Sequence, residues 1–142
     1  MLSNEVFDKV FTIVKYAMAD LEITVDEKSV PKWADLFYAR STHDVTPTSL
    51  PCLYMIQIGS PQVGNDLERR TQNAIDSTFQ VESVSNKSYD EAYEIINDAG
   101  DIFIRLGYAL TYQQEIPTDS ESMYRFVARF NRVVGANDTL AL

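Results

Sequence analysis

The residues that could do chemistry are few and lie apart in the sequence. His43 stands beside Asp44, a pair that could act as a general base and its orienting carboxylate. Adjacent side chains in an extended segment point apart, and the chain has one histidine, so a solvated loop residue is the better interpretation. Cys52 could be a nucleophile, but its position between Pro51 and Leu53, where a strand begins, favours a small buried thiol.

Two carboxylates three residues apart, Asp98 and Asp101, could serve as acid and base or hold a metal ion. No histidine or further acid joins them at a useful spacing, so we interpret them as part of a solvated helix face. The sequence contains no Walker A loop, no GxGxxG turn and no GxSxG elbow, and its single cysteine excludes an internal disulfide and a conventional zinc site. We therefore expect no enzyme activity, no cofactor and no metal; a small hydrolase is the alternative.

The charge of the chain also limits its function. The formal net charge is -9 over 142 residues, and the acidic residues are spread along the sequence. A protein that grips DNA phosphates needs a concentrated basic face. Basic residues gather only at Arg69-Arg70 and in the trio Arg125, Arg129 and Arg132, where a solvated loop and an exposed strand face are the expected settings. Direct binding of nucleic acid is disfavoured.

The elements that must position these residues begin with a helix. Apolar residues at spacings of three and four gather on one of its faces: Val6, Val10, Ile13, Val14, Ala17, Met18 and Leu21. Phe7 and Phe11 form a second apolar stripe beside the first, so the helix is either deeply buried or in contact with another subunit. Charged residues interrupt this segment, which excludes a membrane span here.

Residues 22–52 have the least regular pattern, and we expect an irregular insertion. Residues 22–25 could form a short strand, and residues 31–38 could form about one helical turn that begins at Pro31. Three aromatic residues either fold this segment back onto the core or serve as interface anchors, since Trp and Tyr are frequent at binding hot spots: Trp33, Phe37 and Tyr38.

Residues 53–83 predict a β-hairpin with a long tip at residues 59–74. Its second strand alternates apolar Ile75, Phe79 and Val81 with polar residues, the pattern of a half-buried antiparallel strand. A second hairpin is predicted from alternation over residues 108–113 and 124–131.

Between the hairpins lies a second helix, which begins with the capping box of Ser88 and Glu91 and ends before Gly107 as the C′ residue. Gly100 inside this helix implies a close approach to a strand or to a neighbouring chain. The predicted order is α-β-β-α-β-β in one α+β domain, residues 1–142, with both helices packed on the sheet. Residues 135–142 form a tail whose composition allows flexibility unless a partner orders it.

Several short pieces of this sequence, taken in order, resemble the tail terminator (tail-completion, or minor capsid) proteins of long-tailed bacteriophages. The resemblance runs from about residue 49 to residue 134. The matching pieces are Leu50-Pro51-Cys52-Leu53, Arg70-Thr71, Phe79-Gln80-Val81-Glu82, Ser85-Asn86-Lys87, Leu106-Gly107-Tyr108 and Tyr124-Arg125-Phe126-Val127-Ala128-Arg129-Phe130. The sequence departs from the family at residues 32–41 and at Ser83, where a hydrophobic or aromatic residue is more usual.

The resemblance implies a structural virion protein of the phage tail and neck, present in the host cytoplasm during assembly. Such proteins form a six-fold ring that caps the tail-tube protein, stops its polymerisation and presents a surface to the head-tail connector, while DNA passes through the lumen without specific binding. The acidic chain suits such a conduit. The expected interface residues are Phe7, Phe11, Arg69, Arg70, Arg125 and Arg129, with no membrane partner. The nearest alternative is a head-side connector or neck ring protein.

Overall fold

A computed structural model describes residues 2–40, 50–58, 62–63, 74–116, 123–135, 138 and 140–142. Two helices and eight strands lie within these ranges. They follow in the order α1 (Leu2–Ala19), β1 (Glu22–Val25), β2 (Lys28–Pro31), β3 (Phe37–Ala39), β4 (Cys52–Gln57), β5 (Gln62–Val63), β6 (Ala74–Ser85), α2 (Tyr89–Arg105), β7 (Ala109–Glu115) and β8 (Tyr124–Gly135).

The main sheet is mixed, with the strand order β3-β4-β6-β8-β7 and with β5 paired to β6. Strands β3 and β4 are parallel, and the other pairs are antiparallel. The centre of the sheet is the pair of 12-residue strands β6 and β8, which is in register from Ala74 opposite Gly135 to Ser85 opposite Tyr124. The predicted pairing of the two hairpins is present as β4 with β6 and β7 with β8, and the long β6–β8 ladder joins them.

The α+β class is confirmed, but the predicted order α-β-β-α-β-β is wrong, because residues 22–40 contain three further strands and β5 is a fourth. Strands β1 and β2 form a separate hairpin, and its turn is made by Asp26 and Glu27 at positive φ values of 51° and 65°. The segment predicted as a helical turn from Pro31, residues 31–38, contains the last residue of β2, a turn at residues 32–35 and the first two residues of β3. The short strand considered for residues 22–25 is confirmed as β1. Pairing with a neighbouring strand decides β2 and β3, and local sequence does not reveal it.

Both helices pack on one face of the main sheet and enclose the core. Phe79 lies at its centre, with ring centroids 5.7 Å from Phe7, 5.4 Å from Phe103 and 5.8 Å from Tyr108. Phe103 stacks in turn on Phe130 at 4.8 Å. Burying each such ring contributes about 2–3 kcal/mol by area, so this aromatic cluster is a large part of the driving force for docking the helices.

The ends of α2 follow the sequence signals. The Ser88 hydroxyl accepts a hydrogen bond from the Glu91 amide at 3.1 Å, which confirms the predicted N-cap. At the other end Gly107 has φ of +89°, its amide donates to the Ile104 carbonyl, and the Tyr108 amide donates to the Phe103 carbonyl. These two bonds form a Schellman motif, and the prediction of Gly107 as C′ is confirmed.

Small residues let α2 approach the sheet closely. A Cβ atom on Gly100 would lie 3.3 Å from Cζ of Phe130, so the predicted close approach to a strand is confirmed. On β6, the fully buried Ser83 hydroxyl donates to the Ala92 carbonyl at 2.8 Å. A large hydrophobic side chain at position 83 would lose this bond and need more space, which gives the departure from the tail terminator pattern a structural reason.

The insertion and the C-terminal tail both contact the core. Trp33 and Tyr38 pack against the core cluster, as one of the two interpretations expected, whereas Phe37 is 39% exposed. In the tail, Leu140 is 4% exposed and belongs to the core, and Asp138 pairs with Arg132 at 2.5 Å. Among the described residues, neither helix has the length and apolar character needed to cross a membrane.

Candidate assembly surfaces

The face of the main sheet opposite the helices, called the open face below, carries two of the predicted interface residues. Side chains alternate along each strand, so the register of β4, β6 and β8 brings Tyr54, Glu82 and Arg125 together on this face. Nη2 of Arg125 donates to both carboxylate oxygens of Glu82, at 2.9 and 3.0 Å, and to the Tyr54 hydroxyl. Arg125 is therefore engaged within the chain.

Burial makes this cluster costly to disturb. The Glu82 side chain is 5% exposed, and that of Arg125 is 34% exposed, so the carboxylate depends on the guanidinium for compensation. Burial, followed by the hydrogen bond to Glu82, raises the pKa of Tyr54 above its usual value, so the hydroxyl stays protonated. Among the described residues, the buried Nε of Arg125 has no hydrogen-bond partner. The cluster ties together three neighbouring strands.

Arg129, the second predicted interface residue on the open face, is exposed. Its Nε donates to Oε1 of Gln80 at 3.0 Å, and its guanidinium lies 5.6 Å from the ring centroid of Tyr112. Arg125 and Arg129 are matched on the described strands of this face by two carboxylates, Asp76 and Glu82. The open face is thus close to neutral, and the acidity of the chain lies elsewhere.

Phe7 and Phe11, the predicted subunit contact, are largely used inside the chain. Phe11 is 6% exposed and belongs to the core cluster, and the half-buried Phe7 stacks on Phe79. The guanidinium of Arg40 covers both rings, at 4.6 Å from Phe11 and 5.5 Å from Phe7, and pairs with Asp8 at 2.7 Å. The second apolar stripe of α1 therefore has partners within the chain.

The remaining predicted interface residues, Arg69 and Arg70, lie outside the described residues, as does His43.

The two carboxylates considered for catalysis, Asp98 and Asp101, lie in different environments. Asp98 accepts hydrogen bonds from Nζ of Lys32 at 2.7 Å and from Nε1 of Trp33 at 2.9 Å, whereas Asp101 is exposed. Asp98 therefore links the segment after β2 to α2. The expectation of a solvated helix face describes Asp101 but not Asp98. Nothing of this arrangement resembles an acid and base aimed at one substrate.

Cys52 is fully buried, and burial raises the pKa of its thiol to about 12, so it is a thiol at neutral pH as predicted. Within the described ranges, no group of three or more His, Cys, Asp or Glu side chains is arranged to hold a metal ion.

Sequence reasoning missed an exposed aromatic patch beside the start of α2. Tyr89 and Tyr93 are 43% and 44% exposed and stack at 6.2 Å, and both meet the ring of Phe126 edge-on, at 5.1 and 5.6 Å. The signal was available, because two tyrosines four apart on a helix share one face. Exposed tyrosines of this kind are suited to bind a partner.

Sequence reasoning also missed that β7 is an unprotected edge strand. It forms one border of the sheet, and all seven of its residues are exposed. Natural edge strands usually carry lysine or proline, or are very short, which prevents pairing with other chains. Strand β7 has neither residue, and its only charge is Glu115 at the end. The other border, β3, has three residues.

Comparison with known proteins adds no family to this description. No model of a known protein family matches the sequence, and no curated protein has detectable similarity to it.

Proposed function

We propose that the chain is a tail terminator, a structural protein that caps the tail tube of a long-tailed phage as a ring. The observation that carries this proposal is the order of the sequence pieces that resemble the family. They lie in succession at the start of β4, in β6, in the turn before α2, in the turn after it and in β8. These elements form one continuous sheet with its main helix, so these five pieces lie in a single architectural unit, whereas Arg70-Thr71 lies outside the described residues.

The described surfaces support an assembly role. A closed ring requires each copy to present two different, complementary patches. The sheet ends in two unlike edges, the long β7 and the short β3, and exposed aromatic residues lie beside β7. The net charge of -9 fits a conduit that lets DNA pass without holding it.

The mechanism of termination follows from a ring with two unlike faces. One face binds the last ring of tube subunits, and the other lacks the surface that a further tube ring would need, so polymerisation stops. The second face then meets the head-tail connector. Arg69 and Arg70 form a basic pair in the β5–β6 connection, and we propose that they contact acidic groups on the tube protein.

Electron microscopy of tubes tests the proposal. The purified chain is mixed with the tail-tube protein of the same phage, and tube lengths and ends are measured. We expect short tubes with a ring at one end. The charge-reversed variant Arg69→Glu/Arg70→Glu should keep its circular dichroism spectrum and fail to cap, because like charges at an interface are strongly unfavourable. Uncapped tubes of unlimited length with the unmodified chain refute the proposal, and rings on heads in place of tubes favour the connector alternative.

A further inference from the structure

We propose that the outer edge of β7 binds the β3 edge of a second copy of this chain, so that the main sheet continues from one copy to the next. The head-to-tail sense of this pairing rests on the ring of the proposed function. The pairing itself is argued from the strand edges and from the charges that flank them.

Among the described strands, none pairs with the outer side of β7, so its outward backbone groups have no strand partner there. The Ile116 amide donates to the Arg125 carbonyl at 2.8 Å, which identifies Ile116 and Arg125 as a hydrogen-bonded pair across β7 and β8. In an antiparallel ladder such pairs alternate, so Gln114 also faces β8. The backbone groups of Gln113 and Glu115 therefore point outward, where a further strand can bind them.

The direction of the strands favours β3 of the next copy. Strand β3 is parallel to β4, and each later step across the sheet, to β6, β8 and β7, reverses direction. Strands β3 and β7 therefore run in opposite directions. When the next copy keeps the same orientation, β7 and the new β3 are antiparallel, which is the more stable ladder.

Charged side chains flank both edges. On the helix side, β7 is bordered by the α2 stripe that contains Asn97, whose side chain accepts from Gln113, with the exposed Asp101 one turn further along and the exposed Arg105 one turn beyond it. The β3 border carries the exposed Lys15, whose Nζ lies 5.8 Å from the Tyr38 ring centroid, and Arg40, which pairs with Asp8 of its own chain. Lys15 at one border is opposite in sign to Asp101 and Glu115 at the other.

Apolar side chains that the monomer leaves in water would also be covered. Leu110 is 45% exposed on β7, and Ile104 and Tyr93 on the neighbouring stripe of α2 are 53% and 44% exposed. At the opposite edge Phe37 is 39% exposed. Both helices lie on the same face, so a continuous sheet brings this stripe of α2 against α1 of the next copy.

Cross-linking through introduced cysteines tests the pairing, because Cys52 is fully buried and gives little background. Phe37 and Gln114 both lie on the open-face side of their strands, one at each edge. The double variant Phe37→Cys/Gln114→Cys, treated with a short bismaleimide, should give a ladder of oligomers. Gln114→Cys alone should stay monomeric. Val133→Cys, 57% exposed but away from both edges, is the control.

Dimers from Gln114→Cys alone, which indicate twofold pairing of β7 with β7, overturn the inference, and so does equal cross-linking of Val133→Cys. Absence of a ladder at high protein concentration also overturns it.

A proline variant tests the backbone bonds directly. Gln113→Pro removes the outward amide and leaves the ladder to β8 in place, whereas Gln113→Ala removes the side chain and keeps the amide. We expect Gln113→Pro to weaken self-association at least about tenfold relative to Gln113→Ala, with unchanged circular dichroism. Equal association of the two variants refutes the pairing.

The cross-linking and tube-capping experiments separate this inference from the proposed function. A cross-linked ladder without tube capping would support the pairing and refute the proposed function. Tube capping without a ladder would support the proposed function and refute the pairing.

Discussion

Replacing Arg125 by leucine is the sharpest test of how the open face is held together. The substitution leaves the Glu82 carboxylate, 4% exposed, without the guanidinium that binds both of its oxygens. Loss of one member of a buried ion pair costs about 3–5 kcal/mol, because the remaining charge is neither paired nor hydrated. The Arg125 side chain is 34% exposed, so water can reach part of the site, and we expect the lower end, about 3 kcal/mol.

The free energy of unfolding is measured by urea denaturation, with circular dichroism as the signal. In a chain of this length, each kcal/mol lost from the free energy of unfolding lowers Tm by about 2–4 °C. Thermal melting of Arg125→Leu should therefore show a decrease of about 6–12 °C in Tm. The double variant Glu82→Leu/Arg125→Leu removes both charges together. It should be more stable than Arg125→Leu alone by about 1–3 kcal/mol, since an apolar pair needs no compensation.

Arg129→Leu is the matched control, because Arg129 is exposed and bonds to a neutral amide. It should change the free energy of unfolding by less than about 0.5 kcal/mol. The reasoning is refuted if Arg125→Leu costs no more than Arg129→Leu, or if the double variant is the least stable of the three.

Three further predictions use other parts of the chain. Phe11→Glu should abolish the folded circular dichroism spectrum, since a charge at a 6%-exposed core position costs more than about 4 kcal/mol; a folded monomer would show that Phe11 faces a partner. Gly107→Ala should lower the free energy of unfolding by about 1–2 kcal/mol in urea titration, because φ there is +89°, and an unchanged midpoint would contradict this. Folding stability should fall above pH 9: the pKa of Cys52 is raised from 9.0 to about 12, so the thiol loses its proton first in the unfolded state, at about 1.4 kcal/mol per pH unit. Cys52→Ala should flatten this decline between pH 9 and 10, before Tyr38, whose pKa burial raises from 10.0 to about 12, begins to add to it.

Local signals in the sequence were sufficient for the main elements. The capping box of Ser88 and Glu91 and the glycine at 107 placed both ends of α2, because helix ends are decided by residues within one turn. The alternation around Phe79 placed β6, because a strand with one buried face repeats every two residues.

Contacts between distant residues could not be predicted in the same way. Arg125 bonds to Glu82, 43 residues away, and to Tyr54, 71 residues away, and both bonds depend on the register of strands whose connections the sequence does not fix. Strand β3 exists only through its parallel pairing with β4. Asp98 was expected on a solvated face, and it instead pairs with Lys32, which is distant in the sequence.

Alternation over residues 108–113 predicted strand β7, which runs from Ala109 to Glu115. In a strand without irregularity, Tyr108, Leu110 and Tyr112 would lie on one face. A register shift lies between Leu110 and Tyr112, so that Leu110 pairs with Phe130 and Tyr112 with Arg129. Adjacent residues on β8 point to opposite faces, so Leu110 and Tyr112 do as well, and both remain more than 40% exposed.

The apolar residues of β7 therefore contribute little to the core of a single copy. Tyr108 alone of the three is buried, at 3% exposure, and it lies before the strand begins. Large apolar side chains on both faces of an unblocked edge raise the risk of unwanted pairing and give the monomer no matching stability. An edge of this composition is explained more simply if a partner strand covers it, and in that case the exposed side chains of β7 belong to the interior of an assembly.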